Sequence, residues 1–286
     1  MLHKSTIQLL RFHFSFFLLP VFLFAISQLN EINWPHALLI FFILHVLVYP
    51  SSNGYNSYMD RDSTPIGGLY KPLQPTRQLF YVSIILDIVA ITTSFFLSIY
   101  FALGILLYIV ASRAYSYRGI RLKKYPVAGY LVAVIFQGAV VFFLTYYGSN
   151  MSKIFNVPLL PMLAASCLIG GYYPLTQVYQ HTEDRKDGVQ TISLLMGKRG
   201  TFIYCGIIFA IATLLIFITF KNQGNLWHFY LFAICMVPMI LFFLSWMIKV
   251  WKNESNANFK NSLVMNILAA LCTVVCFLTI IIINNI

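Results

Sequence analysis

Acidic side chains are concentrated in two short segments, each with an amide one helical turn before an aspartate. Five of the 8 acidic residues lie there: Asp60 and Asp62 in the first segment, and Glu183, Asp184 and Asp187 in the second. On a helix, a spacing of four residues places Asn56 beside Asp60 and Gln180 beside Asp184. Carboxylate and amide oxygens suit Mg²⁺. The segments predict a magnesium site that depends on Asp60 and Asp184, and its candidate ligands are Asn56, Asp60, Asp62, Glu183, Asp184 and Asp187.

The two acidic segments also resemble each other. Residues 49–61 and 173–185 pair like with like when they are superposed without gaps, for example Tyr49 with Tyr173 and Asp60 with Asp184. Such similarity indicates a duplicated structural unit, and we expect the function to lie between its two copies. The alternative explanation is that these acids are loop charges, neutralised by the neighbouring Arg61 and Arg185. The duplication favours the metal site.

A basic segment at residues 113–124 supplies the charge that a phosphate would need. Carboxylates alone repel a phosphate, so a metal ion has to lie between them, and basic side chains complete the binding of a diphosphate. The candidates for contact with that substrate are Arg118, Arg121, Lys123, Lys124, Gln180, Asn53 and Gln137. The basic residues are equally explained as topology signals. Gln137, followed by Gly138 in an apolar stretch, either lines a cavity or packs helices.

These segments belong to an integral membrane protein. The chain has 286 residues, of which 59% are hydrophobic and only 9% charged, with a mean hydropathy of +0.78. A soluble domain carries about a quarter of its residues as charges. The net charge of +11 does not indicate nucleic acid as a partner, because no basic run is long enough to form a groove for it. The bilayer is the expected environment.

Apolar runs predict an all-α polytopic protein with nine transmembrane helices in a single domain over residues 1–286. The runs are approximately 12–29, 36–58, 79–97, 98–117, 126–147, 157–179, 201–220, 227–248 and 263–283. Ser98 and Gly104 mark the turn between the third and fourth. The first run resembles a signal peptide, but the many spans that follow favour an uncleaved helix.

Charge segregation sets the predicted orientation. With nine spans and a cytoplasmic N-terminus, every basic residue except Lys153 and Lys221 falls on the inner side. We therefore expect a plasma or inner membrane protein whose C-terminus is outside and whose acidic and basic segments meet at the cytoplasmic face. Residues 59–78 are predicted to form a loop, and the sixth span is predicted to continue as a helix to Gly188. Asp87, in the third span, should face the bundle interior or lie near a helix end.

Together, these features resemble the UbiA superfamily of intramembrane prenyltransferases over essentially the whole chain. Members have nine helices, with aspartate-rich motifs after the second and sixth. The second motif of that family is matched by Asp184-Arg185, Gly188, Thr191 and Gly197, and Tyr115-Ser116 to Lys124 resembles its basic stretch. The first motif carries Ser57 and Thr64 at positions where the family usually has aspartate, and Gln180 replaces the leading aspartate of the second. Asp62, Glu183 and Asp187 supply acids in a shifted register.

The resemblance implies Mg²⁺-dependent transfer of an isoprenyl group from a prenyl diphosphate to a small acceptor, such as an aromatic compound or quinone precursor. It implies an allylic cation as the intermediate. By position, Asn56 and Asp60 belong to the first metal site, Asp184 to the second, and Arg121 and Lys123 contact the diphosphate. The alternative is a non-catalytic UbiA-like membrane protein that binds lipid or a partner. A transporter agrees less well, because the acids lie at the membrane face rather than at mid-depth.

Overall fold

The structure is a computed structural model, and it describes residues 1–153 and 155–285. Within these residues, nine helices are long and apolar enough to cross a membrane, as the sequence predicted. They are α1 (Lys4–Ser27), α2 (Trp34–Asp60), α3 (Arg77–Ser94), α4 (Ile99–Ser116), α5 (Pro126–Ser149), α6 (Leu159–Thr176), α7 (Ile192–Asn222), α8 (Leu226–Lys252) and α9 (Phe259–Asn284). A short helix, His181–Lys186, lies between α6 and α7.

Side-chain caps define where several of the helices begin. Asn33, Ser98 and Asn258 each accept a hydrogen bond from a backbone N–H three residues later, at 3.0–3.1 Å. Ser98 thus ends the turn between α3 and α4, as expected. Gly104 lies inside α4, where a Cβ would come within 2.4 Å of Leu144, so this glycine permits close helix packing and does not form the turn.

The helices form a bundle in which the first helix packs against the last. α6 packs on α7, α8 on α9, and α2 on α3, while the C-terminal half of α1 contacts both α9 and α5. At one close approach, a Cβ on Gly138 of α5 would lie 2.5 Å from the Ser166 Cα of α6. Gly138 therefore packs helices, and its neighbour Gln137 lines a cavity.

Two spanning helices contain π-helical turns, at Phe42–Val48 in α2 and at Ile135–Val140 in α5. α1 is interrupted at Arg11, whose backbone is left-handed with a φ of 47°. α7 has a kink at Gly197, whose φ of 70° favours glycine. These irregularities change the direction of side chains near the end of the bundle that carries the acidic segments.

An ion pair joins α2, α3 and α4 near that end. Asp87 of α3 is 6% exposed and accepts from the Arg113 Nε of α4 at 3.0 Å. Ser51 of α2 donates to the Asp87 Oδ1 at 2.6 Å and accepts from the Arg113 Nη2 at 2.6 Å. The Arg113 guanidinium also lies 4.1 Å from the ring centroid of Tyr55. Asp87 therefore faces the bundle interior and its charge is paired, as expected because an unpaired charge inside a membrane is energetically costly.

The first residues of the chain hold the loop between α2 and α3. The Gln8 side chain bonds the Lys71 carbonyl at 3.2 Å and the Leu73 N–H at 2.8 Å. The Arg11 Nη1 donates to the Gly67 carbonyl at 3.2 Å, and the His13 ring nitrogen lies 3.0 Å from the Gly68 carbonyl. The predicted loop is therefore an ordered wall of the bundle end.

Candidate active site

The end of α2 presents polar side chains to a cavity. Asn53, Asn56 and Asp60 are three and four residues apart, and all three line this cavity. The helix ends at Asp60 because Arg61 has left-handed backbone angles (φ 57°), and its N–H donates to the Ser57 carbonyl at 3.0 Å. A carboxylate at a helix C-terminus opposes the helix dipole, so Asp60 requires a nearby cation.

The second acidic segment has a different backbone from the first. α6 tightens into a 3-10 turn over Tyr173–Thr176, and the separate helix His181–Lys186 follows. The prediction of a continuous helix to Gly188 was therefore wrong, and the reason is Pro174, which has no N–H to donate and crowds the preceding turn. Gln180 and Asp184 still lie one turn apart, because the Asp184 N–H donates to the Gln180 carbonyl at 2.9 Å.

Gly188 and Thr191 fix the backbone and the carboxylate of Asp184, respectively. Gly188 has a φ of 66°, and the Val189 N–H then donates to the Asp184 carbonyl at 2.8 Å. The Thr191 hydroxyl donates to the Asp184 Oδ2 at 3.2 Å and accepts from the Leu194 N–H at 3.2 Å, which caps α7. The spacing of Asp184, Gly188 and Thr191 in the sequence thus has a local structural cause.

The basic segment divides into residues that face the acids and residues that do not. Lys123 donates to the Asp60 Oδ2, and Arg121 pairs with Asp187 and lies 3.7 Å from the Asp60 Oδ1. The Arg118 Nε donates instead to the Met59 carbonyl at 2.7 Å, and the Lys124 Nζ lies 4.9 Å from the Tyr125 ring centroid. Lys123 and Arg121 thus pair with carboxylates of the acidic segments.

The cavity between these segments has a volume of about 410 Å³ and lies between α1, α2, α4, α5 and α6. Most of the residues that the sequence predicted for the site line it. They are Asn53, Asn56, Asp60, Asp62, Lys123, Gln137, Gln180, Glu183, Asp184 and Asp187. Among the described residues, Arg118, Arg121 and Lys124 are the predicted members that lie outside its lining.

Burial and like charges perturb the acids of the cavity. Burial raises the pKa of Asp62 to about 6, with the Asp60 charge acting in the same direction and Lys123 opposing it. Burial also raises the pKa of Asp184 to about 6, against the hydrogen bond from Thr191 and the charge of Lys123. Asp60, Asp62 and Asp184 therefore form one electrostatic cluster around Lys123.

The donor set fits Mg²⁺ in chemistry. In residues 1–153 and 155–285, no three His, Cys, Asp or Glu side chains lie close enough together to hold one metal ion. Within the same residues, the buried Asp60 Oδ1 has no hydrogen-bond partner. The Asn56 Oδ1 accepts from the Ser116 hydroxyl at 2.9 Å. Mg²⁺ is usually bound by one or two carboxylates together with waters and substrate phosphates. The residues therefore fit an ion that is held by one or two carboxylates at a time, and not by all of the acids at once.

Arg11 is a cavity residue that the sequence reasoning missed. Its side chain is buried at the break in α1, and its Nη2 donates to the Asn53 carbonyl at 3.4 Å. The charges of Asp62 and Asp60 act on it directly. From the sequence, Arg11 was explained as an inner-side topology charge, because nothing in its spacing linked it to residues 42 or more positions away. In the sequence, Arg11 directly precedes the apolar run that begins at residue 12, and this position did not distinguish it from the other topology charges.

Three tyrosines form the wall of the polar cavity on the side of the bundle interior. Tyr108 and Tyr115 of α4 and Tyr173 of α6 all line the cavity, and the hydroxyls of Tyr115 and Tyr173 are hydrogen-bonded. Tyr173 is the counterpart of Tyr49 in the duplicated segment. The duplication therefore pointed to Tyr173 in the sequence, whereas its hydrogen-bond partner Tyr115 was predicted only as part of the basic stretch.

The chain was compared with known sequences and structures. A sequence profile of the UbiA prenyltransferase family matches residues 16–270. No curated protein matches the chain significantly. A UbiA homologue from Archaeoglobus fulgidus, solved with GPP and Mg²⁺, superposes with a TM-score of 0.68 at 19% identity, covering 97% of this chain and 99% of the homologue.

Other solved structures have the same fold. A digeranylgeranylglyceryl phosphate synthase has a TM-score of 0.62 at 20% identity, with 98% of this chain and 97% of the synthase covered. A UbiA homologue from Aeropyrum pernix K1, solved in the apo form, has a TM-score of 0.64 at 18% identity, with 92% and 97% covered. Because the family profile spans most of the sequence and the fold agrees along nearly the whole chain, this protein belongs to the UbiA prenyltransferase family.

Proposed function

We propose that this protein transfers an isoprenyl group from a prenyl diphosphate to a small aromatic or quinone-precursor acceptor, with Mg²⁺ as cofactor. The observation that carries the proposal is the cavity in which both acidic segments meet Lys123 and Arg11. The A. fulgidus homologue, solved with either GPP or DMAPP and Mg²⁺, supports a prenyl diphosphate as the donor class.

In this proposal the polar cavity holds the diphosphate. Asn56, Asp60 and Asp62 would bind Mg²⁺ on one side, and Glu183, Asp184 and Asp187 on the other. When bound, Mg²⁺ neutralises the diphosphate and makes it a better leaving group. Lys123 and Arg11 donate hydrogen bonds to diphosphate oxygens, in which case Lys123 exchanges its contact with Asp60 for one with the substrate.

The carbon chain would leave the polar cavity toward the bundle interior. Cleavage of the C–O bond gives diphosphate and an allylic cation, and the acceptor carbon then attacks the cation and loses a proton. Tyr108, Tyr115 and Tyr173 line the cavity where the cation forms, and their rings stabilise positive charge. The buried position of this wall limits the access of water, which would otherwise consume the cation.

Release of diphosphate from a panel of prenyl diphosphates and acceptors in nanodiscs tests the proposal. We expect turnover that requires Mg²⁺, and a loss of about 10²-fold or more in Asp60→Asn and Asp184→Asn, since each removes one charge that holds the metal. Glu254→Gln is the matched control, because its carboxylate is exposed and pairs with Arg199 outside the cavity. If the wild type neither binds nor turns over any of the prenyl diphosphates, the proposed function is refuted.

A non-catalytic, lipid-binding UbiA-like protein is the second candidate. The contacts of Asp60 with Lys123 and of Asp187 with Arg121 favour it, because these bases occupy the carboxylates that a metal would need. Binding of prenyl diphosphate that does not depend on Mg²⁺, without release of diphosphate, would support this candidate over the enzyme.

A further inference from the structure

A second cavity continues from the polar one toward the middle of the bundle. Its volume is about 130 Å³, and its lining is mostly apolar. The two cavities share Phe14, Gln137, Tyr173 and Thr176 as lining residues, so they adjoin. A chain that leaves the diphosphate in the polar cavity therefore has a continuous path inward.

Three phenylalanines in mutual contact lie beyond the far end of this apolar cavity. The far lining includes Val21 of α1 and Thr273 of α9, and one helical turn farther along the same helices are Phe24 and Phe277. Their ring centroids are 4.6 Å apart in a stacked arrangement, and Phe142 of α5 packs edge-on against Phe24 at 5.4 Å. We name Phe24, Phe142 and Phe277 the aromatic floor.

The aromatic floor is closely packed. All three rings have 0% exposure, and Phe142 lies about one turn beyond the cavity residue Gln137, because the π-helical turn between them lengthens the helical repeat. On α6, the positions one turn beyond the lining residue Leu168 are the fully buried Ala164 and Ala165. Small residues on one helix and large rings on three others fill this layer of the bundle.

The length of the apolar cavity can be compared with that of a prenyl chain. From Thr176 to Leu168, α6 rises by about 13.5 Å, at about 2.0 Å per residue in its 3-10 turn and about 1.5 Å per residue in the α-helix. An extended chain covers about 3.4 Å per three backbone bonds, so the four bonds of an isoprene unit cover roughly 4.5 Å. The cavity is therefore about three isoprene units long.

We propose that the aromatic floor limits the donor to short chains, so that geranyl and farnesyl diphosphate fit whereas geranylgeranyl diphosphate does not. This inference rests on the proposed function, because it assigns chain-length selection to the same site. It makes Phe24, Phe142 and Phe277 specificity-determining residues that lie far from the acids. Donors that differ by one isoprene unit differ by several apolar carbon atoms, so exclusion of one unit from the cavity discriminates strongly between two donors.

The ratio of kcat/KM values for geranylgeranyl and geranyl diphosphate tests this proposal. In Phe24→Ala, we expect this ratio to rise about tenfold or more over the wild type, since the lost ring extends the cavity by one turn. Phe202→Ala is the matched control, because Phe202 is equally buried but packs on Phe243 and Trp246, away from either cavity. The control should leave the ratio unchanged.

A second variant shortens the cavity and leaves the aromatic floor intact, so it does not depend on whether the protein folds without the Phe24 ring. Ala270→Leu places a larger side chain on the cavity lining, and we expect it to lose farnesyl diphosphate turnover before geranyl diphosphate turnover. Equal kcat/KM of the wild type for all chain lengths would overturn the inference, and so would ratios that neither variant changes. Either result would show that the aromatic floor does not limit the length of the donor. No turnover by the wild type with any donor would instead refute the proposed function.

Discussion

Asp62 and Asp184 are acids whose charged form is disfavoured by the fold. Burial is the main cause of the rise of each pKa to about 6. A raised pKa means that the folded protein holds the proton more tightly than the unfolded chain does. The resulting stabilisation is complete below the unfolded pKa of about 3.8 and is lost as the pH rises through about 6. Near neutral pH, these two charges therefore weaken the protein until a cation offsets them.

Replacing Asp184 removes one of these charges while keeping an acceptor for Thr191. In metal-free buffer, we expect Asp184→Asn to melt about 2–4 °C above the wild type at pH 7.5 and close to it at pH 5. Added Mg²⁺ should raise the melting temperature of the wild type and leave that of the variant nearly unchanged. Thermal unfolding followed by intrinsic fluorescence in detergent measures both effects.

The comparison with the variant also cancels the contribution of His181. Burial lowers the pKa of His181 to about 4, which gives stability that is lost as the pH falls, but this histidine is present in both proteins. A variant that melts below the wild type at pH 7.5 would contradict the prediction.

At the residue scale, the sequence predicted the acids of the site better than their basic partners. Acids are scarce in this chain, so two clusters with the same spacing stood out. Basic residues are common on the inner side of any membrane protein, so their presence alone is a weak signal. The resemblance favoured Arg121 and Lys123 within the basic segment, but Arg118 and Lys124 were predicted to contact the substrate as well. Only the packing of α1 against α2 reveals that Arg11 enters the cavity while Arg118 and Lys124 do not.

At the scale of helices, Ser51, Asp87 and Arg113 hold α2, α3 and α4 together near the start of the first acidic segment. Asp87→Leu leaves the Arg113 guanidinium without its carboxylate, and we expect a loss of about 3–5 kcal/mol in stability. The double variant Asp87→Leu/Arg113→Met removes both charges and should recover most of that loss. Melting temperatures in detergent distinguish the single variant from the double variant. A double variant as unstable as the single one would contradict an ion-pair origin.

The number of helices was predictable, because nine apolar runs of spanning length occur in the sequence. The ends and irregularities of the helices were less so. The break after Thr176 follows Pro174, whereas Pro50, at the matching position of the first segment, lies inside the continuous helix α2. Gly104 is explained by Leu144 of another helix and not by a turn of its own. The residue type alone therefore did not decide where a helix ends or the chain turns.

At the scale of the whole molecule, the bundle brings two duplicated acidic segments to one end, as the repeat predicted. The direction in which this bundle crosses the membrane remains a prediction from the charge distribution. Lys71 lies at the end with the acidic segments, and Lys221 lies at the opposite end, close to the last residue of α7.

Cysteine labelling in intact cells tests this orientation. We expect a membrane-impermeant maleimide to label Lys221→Cys in intact cells, and Lys71→Cys only after the membrane is permeabilised. The wild type is the control, because its five cysteines lie inside the spanning helices. Labelling of Lys71→Cys in intact cells would reverse the predicted orientation.

The N-terminal segment has a practical consequence for work on this protein. Besides the contacts of Gln8, Arg11 and His13 with the α2–α3 loop, the Gln78 side chain accepts from the His3 N–H at 2.6 Å and donates to the Met1 carbonyl at 3.1 Å. An affinity tag or fusion partner attached at residue 1 would pull on the same loop that carries Asp62. Purification handles therefore belong at the other terminus, because α9 ends at Asn284 on the far side of the bundle from the cavity.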